Sequence, residues 1–104
     1  MSDSVIINIS KDFTPTPAGR YSTDGEFSGQ RFREEFMLPN LKAGKQVTVQ
    51  LDGTKGYGSS FLEESFGGLV RAGISREVLK KNLKLVSSDS SLILEIQEYI
   101  ETAN

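Results

Sequence analysis

The chain has 104 residues, 37% of them hydrophobic and 25% charged, with a net charge of −2. That length supports one domain, residues 1–104, around one core, and the slightly acidic balance argues against a nucleic-acid binder or a polybasic membrane surface. With no cysteine and no histidine, a disulfide framework, a thiolate nucleophile, a Cys/His zinc site and imidazole catalysis are all excluded.

The opening MSDSVIINIS has no basic region ahead of its short apolar run. Neither a signal peptide nor a membrane span is expected there, and a cytoplasmic location is the default. Val5 to Ile9 is β-branched and nearly all apolar, which predicts a buried strand. Asp12 to Gly29 holds Pro15, Pro17, Gly19, Gly25 and Gly29 among Ser, Thr and Asp. It reads as a long loop, with Arg20-Tyr21 as a candidate edge strand. Ser28 is placed to cap a helix from about Gly29 toward Leu41, with Phe32, Phe36 and Met37 on one face and Pro39 expected to kink or end it. Gln46 to Leu51 is a second strand.

Asp52 to Gly58 is a glycine-rich turn that delivers Ser59 and Ser60 to the start of the next helix, about Ser60 to Ala72. Ser60 and Glu63 match a capping box, Glu63 and Glu64 suit the positive helix start, and Gly73 sits where a terminating glycine belongs. Gly67 and Gly68 inside this helix each cost about 1 kcal/mol relative to alanine. Packing of the helix on a sheet is the expected compensation. Ser75 opens a short helix to about Asn82, Leu83 to Val86 is a third strand, and Ser88 or Asp89 caps a last helix with Leu92, Ile93, Ile96, Tyr99 and Ile100 on its apolar face. This alternation predicts an α/β fold, a parallel or mixed sheet with right-handed crossovers, and a functional edge beyond the strand C-termini.

The richest polar constellation is Gly56-Tyr57-Gly58-Ser59-Ser60. An exposed hydroxyl at a helix start can carry a phosphate that meets free N–H groups; the simpler role for either serine is a cap, and one cap needs only one serine. The segment has neither the Gly-Lys-Ser/Thr ending of a phosphate-binding loop nor the G-x-S-x-G of a nucleophile elbow. Arg20 or Arg31 could assist an anion if the loop folds toward the turn, with solvated charges, and Arg33 and Glu34 in local ion pairs, as the plainer reading. Among Glu34, Glu35, Asp52, Glu63 and Glu64, a two-carboxylate hydrolase needs two acids facing each other across a cleft, and Glu63 and Glu64, neighbours on a helix, point about 100° apart. Helix solubility and dipole matching explain the glutamates, and a turn role explains Asp52. Tyr57 either stands out as a contact or folds over the core.

VTVQLDGTKGYGSSFLEESFGGLV resembles the central segment of STAS domains, the fold of anti-sigma factor antagonists. A closer resemblance, to a small STAS-like family of unknown function, runs through Arg20-Tyr21, Ser28-Gly29, Phe32-Arg33-Glu34, Leu51-Asp52-Gly53, Gly58-Ser59-Ser60-Phe61 and Phe66-Gly67-Gly68-Leu69. The resemblance implies a mixed, mostly parallel sheet of about four strands with helices mainly on one face. It also implies that Ser59 occupies the position phosphorylated in anti-sigma factor antagonists. Gly58 stands where those proteins have aspartate, and Phe61 where they have glycine.

The expected function is a non-enzymatic regulatory module without a cofactor. It binds a protein partner, such as an ATP-binding kinase-like regulator, through Tyr57, Gly58, Ser59, Ser60 and Phe61, with Ser59 the candidate phosphorylation switch, Ser60 the cap, and Tyr57 and Phe61 contact or turn-packing residues. The alternative is a small anion- or nucleotide-binding domain that uses the Ser59/Ser60 helix start with Arg20 or Arg31.

Overall fold

A computed structural model describes residues 3–104. Three strands, β1 (Ser4–Asn8), β2 (Gln46–Gln50) and β3 (Leu83–Val86), form one sheet in the order β1-β2-β3. Both pairings are parallel, with Val5 beside Val47, Ile7 beside Val49, and Val49 beside Leu85. The helices are α1 (29–42), α2 (59–71), α3 (Arg76–Asn82) and α4 (Ser90–Thr102). Among the described residues the sheet therefore has three strands, all parallel, rather than a mixed sheet of about four. Arg20-Tyr21 forms no strand. Their N–H groups bond the Asp24 carboxylate, and the carbonyl of Arg20 accepts from Gln30 at the start of α1.

Right-handed crossovers that advance in one direction leave their helices on one face. Period-two alternation then divides each strand. Ile7, Val47 and Val49 are buried under the helices, whereas Ile6 is 75% exposed and Lys84 and Val86 face solvent. From the helices, Phe32, Met37, Phe61, Phe66, Leu69 and Ile96 complete the core with no exposed surface. Each such side chain contributes about 1.5–3 kcal/mol through burial. Phe13, carried by a wide turn at Ile9–Phe13 that follows β1, joins this aromatic layer against Phe27, Phe32 and Phe36.

The caps are local. Ser28 Oγ accepts from Arg31 N–H, Ser75 Oγ from Val78 N–H, and Asp89 from Ser91 and Leu92 N–H. Gly73 closes α2 at φ 102°, and Ile74 N–H reaches the Leu69 carbonyl.

Pro39 does not end α1, which continues to Lys42. A proline in a helix lacks an N–H and crowds the carbonyl four residues earlier. The turn Arg33–Met37 immediately upstream is widened, with Leu38 N–H bonding the Arg33 carbonyl, and the widening makes room for the ring. A matching wide turn occupies Glu63–Gly67 of α2.

Candidate functional site

Parallel strands end at the same edge, so the chain leaving β1, β2 and β3 converges there. After β2, Asp52 accepts from Ser87 Oγ and from Ser88 N–H and Oγ, tying the loop after β2 to the loop after β3. Lys55 N–H bonds the Pro15 carbonyl, which ties in the long loop after β1. Asp52 thus has the turn role expected of it. An open cleft of about 340 Å³ lies on this rim between Asp52, Thr54, Tyr57, Asp89, Ser91 and Glu95.

Tyr57 folds back. Its hydroxyl donates to the Leu51 carbonyl at 2.6 Å, and its ring stacks on Phe61 with centroids 6.0 Å apart. Burial pushes its pKa up, opposed by the Thr54 hydroxyl and aided by the Asp52 charge. Phe61 is fully buried, so it packs the turn and is not presented to a partner. The expected contact surface therefore loses Phe61.

Ser59 and Ser60 are both exposed, and neither hydroxyl bonds a described group. Gly58, in extended conformation at φ −76° and ψ 152°, takes the cap position, and no side chain caps α2. The capping box expected of Ser60 and Glu63 does not form. With Gly58 as cap, the serines stand in the first helical turn, and the opening N–H groups lack both an intrahelical partner and a side-chain acceptor.

Glu63 instead faces outward cations. It pairs with Arg20 at 2.6 Å and with Arg71 at 2.7 Å. The Arg71 bond, with help from Arg20, holds the Glu63 carboxyl below the usual carboxylate range against the opposing effect of burial. Both guanidiniums are shifted upward, chiefly by Glu63.

Beneath them Glu64, only 7% exposed, meets Arg33, 9% exposed, at 2.6 Å. The Nη1 of Arg33 also donates to the Glu64 carbonyl at 2.8 Å, while its Nε is buried without a partner. Arg33 keeps a contact with Glu34 at 3.5 Å, the local pair expected of it, but its main partner is Glu64 on the other helix.

This network accounts for the helical glycines. A Cβ at Gly68 would lie 3.1 Å from Arg33 Cδ, and its Nη1 would be closer still. A Cβ at Gly67 would meet the Glu63 carboxylate and, at 3.3 Å, the Tyr99 carbonyl of α4. The glycines admit an arginine and a neighbouring helix rather than a sheet. Gly29 has the same function from the α1 side, since its Cβ would lie 2.5 Å from the Phe61 carbonyl. Sequence reasoning missed the Arg33–Glu64 bridge. Its one trace was the Gly67-Gly68 pair, a space with no evident occupant.

The two arginines considered as anion ligands are committed elsewhere. Arg20 reaches α2 at Glu63 and Glu64, one turn past the serines. Arg31 pairs with Glu35 and Glu26, and its guanidinium lies over the rings of Phe13 and Phe27 at 5.6 and 5.5 Å. An anion at the serine turn has neither cation free.

Among the described residues no helix is long and apolar enough to cross a membrane. A sequence-family model described as a STAS-like domain of unknown function (DUF4325) matches residues 28–92, which run from the cap of α1 into α4 and include the serine turn and the whole Arg33–Glu64 bridge. No curated protein and no solved structure matches the chain.

Proposed function

Because this chain belongs to the STAS-like domain family of unknown function, we propose that it is a regulatory protein-binding module. It docks a protein partner, such as an ATP-binding kinase-like regulator, at the start of α2, and phosphorylation of Ser59 is its switch. The observation that carries this reading is the pair of exposed serine hydroxyls in a helix start that neither of them caps. A structural duty would have consumed one of them.

A phosphate on Ser59 adds about 1.5 to 2 negative charges. It would sit one turn before two glutamates, a placement that alone brings repulsion. Those glutamates are already paired with Arg20, Arg33 and Arg71. The phosphate is then left with the uncapped N–H groups and the positive helix end. Phosphorylation therefore changes the docking surface without unfolding the helix beneath it.

The test is capture of partners from the native host by the wild-type chain, Ser59→Ala, Ser59→Asp and Ser60→Ala, with intact-mass analysis of the chain isolated from that host. A partner held by the wild type and by Ser60→Ala, released by Ser59→Asp, together with one added phosphate on Ser59, is expected. Identical capture by all four chains removes Ser59 from the account.

A further inference from the structure

We infer a second docking surface at the free edge of β3, shaped for an extended segment of a partner protein in which apolar residues alternate with acidic ones. It shares no lining residue with the rim cleft beside the serine turn.

The first observation is backbone chemistry. Among the described residues β3 pairs with β2 on one side and with no strand on the other. The Val86 carbonyl accepts from Leu51 N–H, so Val86 and, by alternation, Lys84 turn their peptide groups toward β2. Leu85 then turns its N–H and carbonyl outward. So does the carbonyl of Leu83, whose N–H is spent on the Leu79 carbonyl at the end of α3. The edge thus offers an acceptor, a donor and an acceptor in succession, the set that an added strand takes up.

The second observation is shape. A groove of about 890 Å³ runs along this edge between α3 and α4, and its apolar lining includes Leu79, Leu83, Leu85, Ile93 and Ile100. Leu94 stands at its margin, 65% exposed. A strand beside β3 would point alternate side chains into this groove and the others to the open sheet face, where Lys84 lies.

The third is charge, which selects the occupant. Lys80 and Lys81 line the groove and Lys84 stands on the open sheet face beside it; all three are exposed and make no ion pair among the described residues. Glu98 and Glu101, on α4, leave lysine in excess. A second copy approaching by the same edge would bring its own lysines against these, which disfavours self-pairing. An acidic residue directly across from Lys84, with apolar neighbours turned into the groove, satisfies both faces.

The probe is a short end-capped peptide alternating valine and glutamate, added to the full chain and followed by amide NMR. Slowing of Leu85 amide exchange by about tenfold at saturation is expected, because a hydrogen-bonded edge amide exchanges only through opening. A Val/Lys peptide and a peptide N-methylated on its edge-facing amides should both fail to produce it. Lys84→Glu, at an exposed position that leaves the core intact, should weaken binding about threefold to tenfold. No slowing at Leu85, equal binding of the Val/Lys peptide, or a peptide-free dimer with Leu85 already protected would each overturn the inference, the last in favour of a second copy.

Discussion

Helix α2 holds two polar regions one turn apart, and they are opposites. At Glu63 and Glu64 the carboxylates are met by arginines: Arg20 of the loop and Arg71 at the end of α2 reach both, and Arg33 of α1 reaches Glu64. At Ser59 and Ser60 the hydroxyls meet no described group, and the helix start is uncapped. The first region joins helices, since burying Arg33 and Glu64 is tolerable only because each satisfies the other. The second region contributes nothing to cohesion and is therefore open to a role outside the fold. The contrast shows how to separate the two kinds of polar group: by whether their hydrogen-bonding capacity is already spent.

The sharpest way to break this contrast is to unpair the buried bridge. Glu64→Ala leaves Arg33 enclosed without its counter-charge and should destabilise the chain by about 3–5 kcal/mol in urea unfolding. Replacing both residues with apolar ones of similar size should cost less than either single change, and a double change that costs the sum would show the pair is not coupled. Gly29→Ala comes next. Its Cβ would lie 2.5 Å from a backbone carbonyl that cannot swing away, so a loss of about 1–3 kcal/mol is expected despite alanine's better helix propensity. Gly68→Ala should be milder if Arg33 can shift its flexible end.

Acid tests the outer part of the network. The folded-state pKa of Glu63 is depressed, so its stabilisation is present above the unfolded carboxylate value, about 4.3, and is lost as pH falls through the folded value. Unfolding midpoints should hold steady from neutral pH to about 5 and decline below that. Arg71→Ala should make the decline shallower, and an unchanged slope would remove the Arg71 bond as the cause. The smallest effects belong to the serines. Ser28→Ala, which removes a formed cap, should cost about 1 kcal/mol. Ser59→Ala and Ser60→Ala should stay within about 0.5 kcal/mol of wild type. A loss at Ser60 equal to that at Ser28 would reveal a capping bond and end the contrast.

Much of the architecture was legible because its causes are local. β-Branched runs marked β1 and β2, the Leu83-to-Val86 run marked β3, and Ser28, Ser75, Asp89 and Gly73 marked helix ends through bonds that span a few residues. The errors arose where distant groups competed. Glu63 was expected to reach back to Ser60, but Arg20 and Arg71 offered it charge. Arg33 and Glu64 lie 31 residues apart, and no periodicity joins them. Pro39 was read as a kink or an end, and the widened turn that accommodates it leaves no mark in composition. The expected fourth strand came from the family resemblance and from Arg20-Tyr21, whose N–H groups turn to the Asp24 carboxylate instead. In the candidate site, the exposure of Ser59 and Ser60 agrees with the expectation, and of the two roles offered for Phe61, contact or turn packing, burial leaves turn packing.

The widened turn at Arg33–Met37 also sets the phase of α1. Gly29 ahead of it and Arg33 at its first position address α2; beyond it, Leu41 is buried beside the sheet. Successive residues of a helix are rotated by about 100°, so the extra residue in the turn acts as an angular offset between two docking partners. Winding residues 33–37 as a regular helix of unchanged length would turn Leu41 by about 100° away from the sheet. Deleting one residue there would close the wide turn and leave Leu41 facing the same way.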